Sequence, residues 1–101
     1  MADFLGEKYV TAGVSRTLSP LLQLFLWHLV ERKRETGGLD YLQVFELNPG
    51  KGSGEVVVRH SQEVPSFQYE CSIIGAYPVT AKVYIIDNGD GTAIMLLTDE
   101  Y

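Results

Sequence analysis

SPLLQLFLWHLVERKRETGG, Ser19 to Gly38, is the stretch that decides the fold. Ser19 offers a hydroxyl N-cap, and Pro20 stands at the first helical position, where a missing N–H costs nothing. Gly37 and Gly38 supply the stop, because glycine tolerates the backbone turn that ends a helix. The pattern predicts a helix from Pro20 to about Glu35. Arg32, Lys33 and Arg34 complement the negative end of its dipole; their second use would be as a rim facing an acidic partner. No other segment carries this period over such a length. A single helix cannot cover both faces of a parallel sheet, so the class is α+β: one amphipathic helix on a mostly antiparallel sheet of about five to six strands.

Working outward, KYVTAGV (Lys8 to Val14) is rich in β-branched residues and predicts a short strand at a sheet edge. After the helix come Tyr41 to Leu47, Glu55 to His60, Phe67 to Ile74, Lys82 to Asp87 and Thr92 to Thr98, each read as a strand. Phe67, Tyr69, Cys71 and Ile73 alternate onto one face. Asn48 to Gly54 is a flexible loop, and Asn88-Gly89-Asp90-Gly91 is a strong hairpin turn. The expected order is β-α-β-β-β-β-β, with connections short enough to force antiparallel pairing.

A chain of 101 residues makes one domain, residues 1–101. A hydrophobic share of 46% beside a charged share of 21% excludes a disordered or low-complexity chain. The formal charge is −5, which repels phosphate backbones, so no nucleic acid is expected as a partner. The single cysteine, Cys71, allows no internal disulfide and favours a reducing compartment. Met1 to Glu7 has no basic segment leading into an apolar run, hence no secretion signal. Leu18 to Val30 is interrupted by Ser19, Pro20, Gln23 and His28 and is too short to cross a bilayer, so no membrane is expected. The expected location is cytoplasmic.

The motifs that invite chemistry fail on spacing. Gly50-Lys51 has Phe45 where a phosphate loop needs its first glycine, Gly52 where it needs a hydroxyl, and a strand after it instead of a helix. Asp87 to Gly91 resembles the start of a calcium loop, but Gly89 takes the third position and Thr98 the twelfth. Cys71, His60 and Glu63 would serve as nucleophile, base and orienter only if the thiol were activated, and Cys71 shares its face with Phe67, Tyr69 and Ile73 instead. Two histidines without cysteines or acids at ligand spacing make no metal site. No cofactor and no catalytic residue are expected.

What remains is surplus apolar surface. On a helical wheel Leu21, Leu22, Phe25, Leu26, Leu29 and Val30 form the stripe expected to pack on the sheet. Leu24, Trp27, His28 and Glu31 make a second stripe at i, i+3, i+4 and i+7. A loop or the N-terminal segment with Phe4, Leu5 and Tyr9 folds over Leu24 and Trp27, or the stripe meets a second chain, a homodimer first of all, or a small-ligand pocket forms around Trp27. The leading expectation is a small protein-interaction module without catalysis. The alternative is a small-molecule-binding protein or modest enzyme with its site near the His60 to Pro65 loop, using His60 and Glu63.

Several blocks are shared with a known family: KYVTAGV, SPLLQLFLW, DYLQVFEL (Asp40 to Leu47), HSQEVP (His60 to Pro65), KVYIIDNGDGT (Lys82 to Thr92) and MLLTDEY (Met95 to Tyr101). In that order and spacing the chain resembles domain-of-unknown-function family 960, small proteins of Firmicutes bacteria. The resemblance implies a bacterial cytoplasmic protein and carries over no activity and no site residue.

Overall fold

Ser19 does cap the long helix. Its Oγ accepts the Leu22 amide at 3.3 Å, and the helix runs Pro20–Thr36 before Gly37, at φ 85°, turns the chain away. The computed structural model describes residues 3–101; Met1 and Ala2, the start of the stretch read above for a secretion signal, lie outside the described residues. In chain order the elements are β1 (Glu7–Val10), α1 (Ala12–Thr17), α2 (Pro20–Thr36), β2 (Leu42–Pro49), β3 (Glu55–Gln62), β4 (Phe67–Ile74), β5 (Ala81–Asp87) and β6 (Thr92–Leu97), closed by a 3-10 turn at Thr98–Glu100.

The strands form one sheet in the order β1-β6-β5-β2-β3-β4. All ladders but one are antiparallel; β1 pairs parallel with β6 at the edge, so the sheet is mixed. The edge position of the N-terminal strand agrees with its sequence, but its length does not. Thr11 ends β1 early: its Oγ1 accepts the Val14 amide at 3.2 Å and opens helix α1. Val14 thereby leaves the sheet and becomes a fully buried core residue. A hydroxyl cap and a buried site override the strand preference of a valine. Glu100 pins the same corner from the other end of the chain, its Oε1 accepting from the Thr11 hydroxyl at 2.7 Å.

Both helices lie on one face of the sheet. Leu22, Leu26, Leu29 and Val30 of α2 meet Phe45, Leu47, Val56, Val58, Val83, Ile85, Ala93 and Met95, with Phe4 and Val14 joining from the N-terminal side. Each Leu, Ile or Phe fully withdrawn from water contributes roughly 1.5–3 kcal/mol. The packed stripe is narrower than the wheel suggests: Leu21 stays 46% exposed and Phe25 half-buried. The opening of β1 is held close to the β5–β6 turn, where the Glu7 amide donates to Gly91 O at 3.0 Å. A Cβ on Gly6 would sit 1.7 Å from that same oxygen, so glycine is required there.

Candidate functional site

The helix stripe singled out by sequence is divided by its surroundings. Leu24 is 68% exposed, and His28 and Glu31 are exposed beside it. Trp27 is half-buried and packs against the core, with the Lys8 ammonium from β1 5.8 Å from its ring centre. Of the N-terminal residues read as a cover for the stripe, Phe4 enters the core and Leu5 and Tyr9 stay exposed. Leu24 is left as the one large apolar side chain of the stripe that faces solvent.

A broader apolar surface lies on the opposite side of the molecule, where no helix covers the sheet. Register brings Tyr9, Ile94, Ile86 and Leu42 into one row across β1, β6, β5 and β2. Leu96, Tyr84 and Val44 make the next row, and the Tyr101 ring meets Tyr84 edge-on at 5.5 Å. The third row is charged with alternating sign: Lys82, Glu46, Arg59 and Glu70. Arg59 donates to Glu70 Oε1 at 3.2 Å and stands 4.0 Å from Glu46. Sequence reasoning missed this face. Its signal was present in KVYIID and AIMLL: a strand with one wet face alternates, and a strand apolar at consecutive positions has something on both sides.

The alternative site needs correcting. Strand β3 runs on to Gln62, so His60 does not close it beside a turn. The inward alternation Val56, Val58, His60, Gln62 carries the imidazole to the inner face, 1% exposed. Glu63 follows the strand and is exposed; the bond His60 makes is with Gln43 instead. The His60 ring stacks on Phe45, centroids 4.4 Å apart, and meets the edge of Phe67 at 5.2 Å. Gln43 is equally buried. Its amide nitrogen donates to Asp40 O and to Gln62 Oε1, both at 2.8 Å. Its oxygen is therefore an acceptor, and His60 Nε2, 2.7 Å away, must donate to it. Gln62 completes the network by donating to Gly38 O and Pro65 O. Burial first, and the Lys33 charge second, hold the imidazole pKa down at about 4.

Between the C-terminal half of α2 and strands β3 and β4 lies a small cleft of about 90 Å³, lined by Leu29, Arg32, Lys33, Thr36, His60, Phe67 and Tyr69. Cys71 lies two residues beyond Tyr69 on the same face. Burial pushes its thiol pKa up, which keeps the sulfur protonated and a poor nucleophile. Among the described residues no group of three or more His, Cys, Asp or Glu side chains is placed to hold a metal, and no helix is long and apolar enough to cross a membrane.

Comparison with known proteins places the chain without assigning it work. No curated protein matches. A crystal structure of a protein of unknown function from Enterococcus faecalis superposes with a TM-score of 0.84 at 24% sequence identity, covering 98% of this chain and 93% of that one. At that identity the likeness speaks for the fold, and it supports the α+β architecture described above. The model of the family described as "Staphylococcal protein of unknown function (DUF960)" matches residues 7–100, nearly the whole chain, and the protein belongs to that family.

Proposed function

We propose that this protein is a non-catalytic interaction module of the cytoplasm that pairs with a second copy of itself through the open face of its sheet. The observation that carries the reading is the apolar area of Tyr9, Leu42, Val44, Tyr84, Ile86 and Ile94, uncovered by either helix, with Leu96 buried beside them. Contiguous apolar surface on this scale marks contact sites more often than scattered apolar residues do.

The occupant is argued from the charged row beside it. The sheet's midline falls between β5 and β2. A two-fold axis along the strands at that midline lays each row on its own reversed copy. Tyr84 then faces Val44 of the second copy and Ile86 faces Leu42, while Lys82 faces Glu46, opposite in sign. Such self-complementarity is what an isologous dimer requires. Two sheets packed face to face, about 10 Å apart, would give each copy the second layer its outer face lacks.

Sedimentation equilibrium tests this directly. The wild type is expected at twice the mass of one chain, and Tyr84→Glu at the mass of one. Glu46→Lys should weaken the pair, and adding Lys82→Glu in the same chain should restore it. Leu24→Asp, on the helix face, should change nothing. A wild type that stays monomeric to millimolar concentration ends the proposal. A dimer broken by Leu24→Asp but not by Tyr84→Glu moves the contact to the helix stripe of Leu24, Trp27, His28 and Glu31.

A further inference from the structure

The cleft under the end of α2 contains an electrostatic imbalance that packing alone does not explain. The chain has thirteen acidic residues and eight basic ones, yet Arg32 and Lys33 line this cleft and no carboxylate does. Lys33 is only 9% exposed. Its ammonium donates to Gly37 O and, at 3.4 Å, to Thr36 Oγ1, and lies 4.9 Å from the Phe67 ring centre. Capping the helix end accounts for those two bonds. It supplies no acid: among the described residues no carboxylate forms an ion pair with Lys33, and the lysine lines the cleft beside Arg32. The ion pairs recorded among the described residues all belong to Arg59, on the other face of the sheet. The Arg32 guanidinium stands over the Tyr69 ring, 5.4 Å from its centre, and the residue is exposed.

His60 adds a directional element at the floor. Its Nε2–H is committed to Gln43, so Nδ1 carries a bare lone pair. No side-chain nitrogen or oxygen sealed from solvent lacks a partner among the described residues. Nδ1, with no partner, therefore keeps a small exposure, and the cleft is the opening that His60 lines. The walls are otherwise apolar or aromatic: Leu29, Phe67 and Tyr69. The cleft thus offers two cationic donors at one side, one neutral acceptor at its base, and ring and aliphatic surface between.

We propose that this cleft binds a small hydroxylated organic carboxylate, its carboxylate held by Arg32 and Lys33, its hydroxyl donating to His60 Nδ1, and its carbon body packed on Leu29, Phe67 and Tyr69. Glu63 has no part in it. The site is on the face of the sheet away from the one assigned to self-association, and it stands or falls separately.

The test is a titration of the full chain with 4-hydroxybenzoate, benzoate and inorganic phosphate, following the His60 ring and the Phe67 and Tyr69 signals by NMR. Saturable shifts are expected with 4-hydroxybenzoate, weaker binding with benzoate by about ten-fold, and none with phosphate. Arg32→Gln, at an exposed position that leaves the fold intact, should weaken 4-hydroxybenzoate binding at least ten-fold, as should Lys33→Met if it folds. Repeating the titration on Tyr84→Glu separates the two sites, since the shifts should be unchanged. The proposal is overturned if no probe gives saturable shifts, if phosphate alone binds, or if 4-hydroxybenzoate binds the Arg32→Gln chain as tightly as the wild type.

Discussion

The two faces of the sheet use neighbouring residues of the same strands in opposite ways. On β2, Phe45 is fully buried under α2 and Val44, one residue earlier, looks out from an uncovered face. On β5, Ile85 is sealed in the core and Tyr84 and Ile86 on either side of it are half-exposed. The inner face is finished by the chain itself, down to a hydrogen-bonded His60, Gln43 and Gln62 network. The outer face is apolar but unfinished. The contrast teaches that apolar content alone does not locate a core: it locates surfaces that need a second layer, which the chain supplies on one side only.

The largest way to sharpen that contrast is a matched pair of truncations. Phe45→Ala removes a fully buried ring that also stacks on His60, and about 3–5 kcal/mol of stability should go with it. Val44→Ala, next in the chain, should cost a monomer less than about 1 kcal/mol. Urea unfolding measured at low and high protein concentration checks both. The cost of Val44→Ala should grow with concentration if the outer face is covered by a second copy, while that of Phe45→Ala should not. Equal costs at all concentrations would show that the two faces do not differ as described.

A smaller effect comes from acid. His60 titrates near 6.5 in the unfolded chain and at about 4 when folded, because burial and then Lys33 disfavour its charged form. The unfolded chain therefore binds a proton that the folded chain refuses as pH drops from about 6.5 to about 4. Stability is unaffected above that window and falls through it, by up to about 3 kcal/mol in all. The carboxylates held low act elsewhere. Asp87 is held down by the Gly89, Asp3 and Phe4 amides against the opposing effect of burial, and Glu100 by the Thr11 hydroxyl, so their losses begin only below about pH 4 to 4.5. Unfolding free energies at pH 7, 5.5 and 4.5 should decline in the wild type. His60→Gln, which keeps a donor for Gln43 but has no charge to refuse, should decline much less. A flat wild-type profile would mean that the imidazole is solvated rather than sealed into the inner face.

Much of the inner layer was legible in the sequence, because it is written in local chemistry. Ser19-Pro20 and Gly37 mark the ends of α2, and Asn88 to Gly91 marks the β5–β6 turn. The outer layer was not, because wheel and alternation arguments assign one buried face to each element and treat the rest as solvent. Tyr84 and Ile86 could be read as a continuous apolar run, but not as neighbours of Val44 and Leu42, since that depends on strand order. The strand read as Glu55 to His60 continues to Gln62, with Arg59 facing out. Lys33 was grouped with Arg32 and Arg34 as a charge on a helix end. The burial of that side chain beside a histidine 27 positions away is a tertiary fact. Thr11, the cap of α1, was hidden inside a β-branched run.

The smallest expected effect tests the charged row that borders the open face. Arg59 lies between Glu46 and Glu70, with all three side chains about half-exposed. In water such pairs are screened and pay for their alignment in side-chain entropy, so each yields only about 0–1 kcal/mol. Arg59→Ala should thus lower monomer stability by about 0.5 kcal/mol, with most of that lost again in 1 M salt. Pairing changes the arithmetic. With a second sheet packed above it, the row is partly withdrawn from water, and losing Arg59 removes the cation that stands between Glu46 and Glu70 in a medium of lower dielectric. The same substitution should then weaken the dimer by more than it destabilises the chain. Comparing its effect on the dimer dissociation constant with its effect on unfolding at high dilution isolates that difference. If the two effects are equal, the charged row is ordinary solvated surface, and the contact between copies does not extend to it.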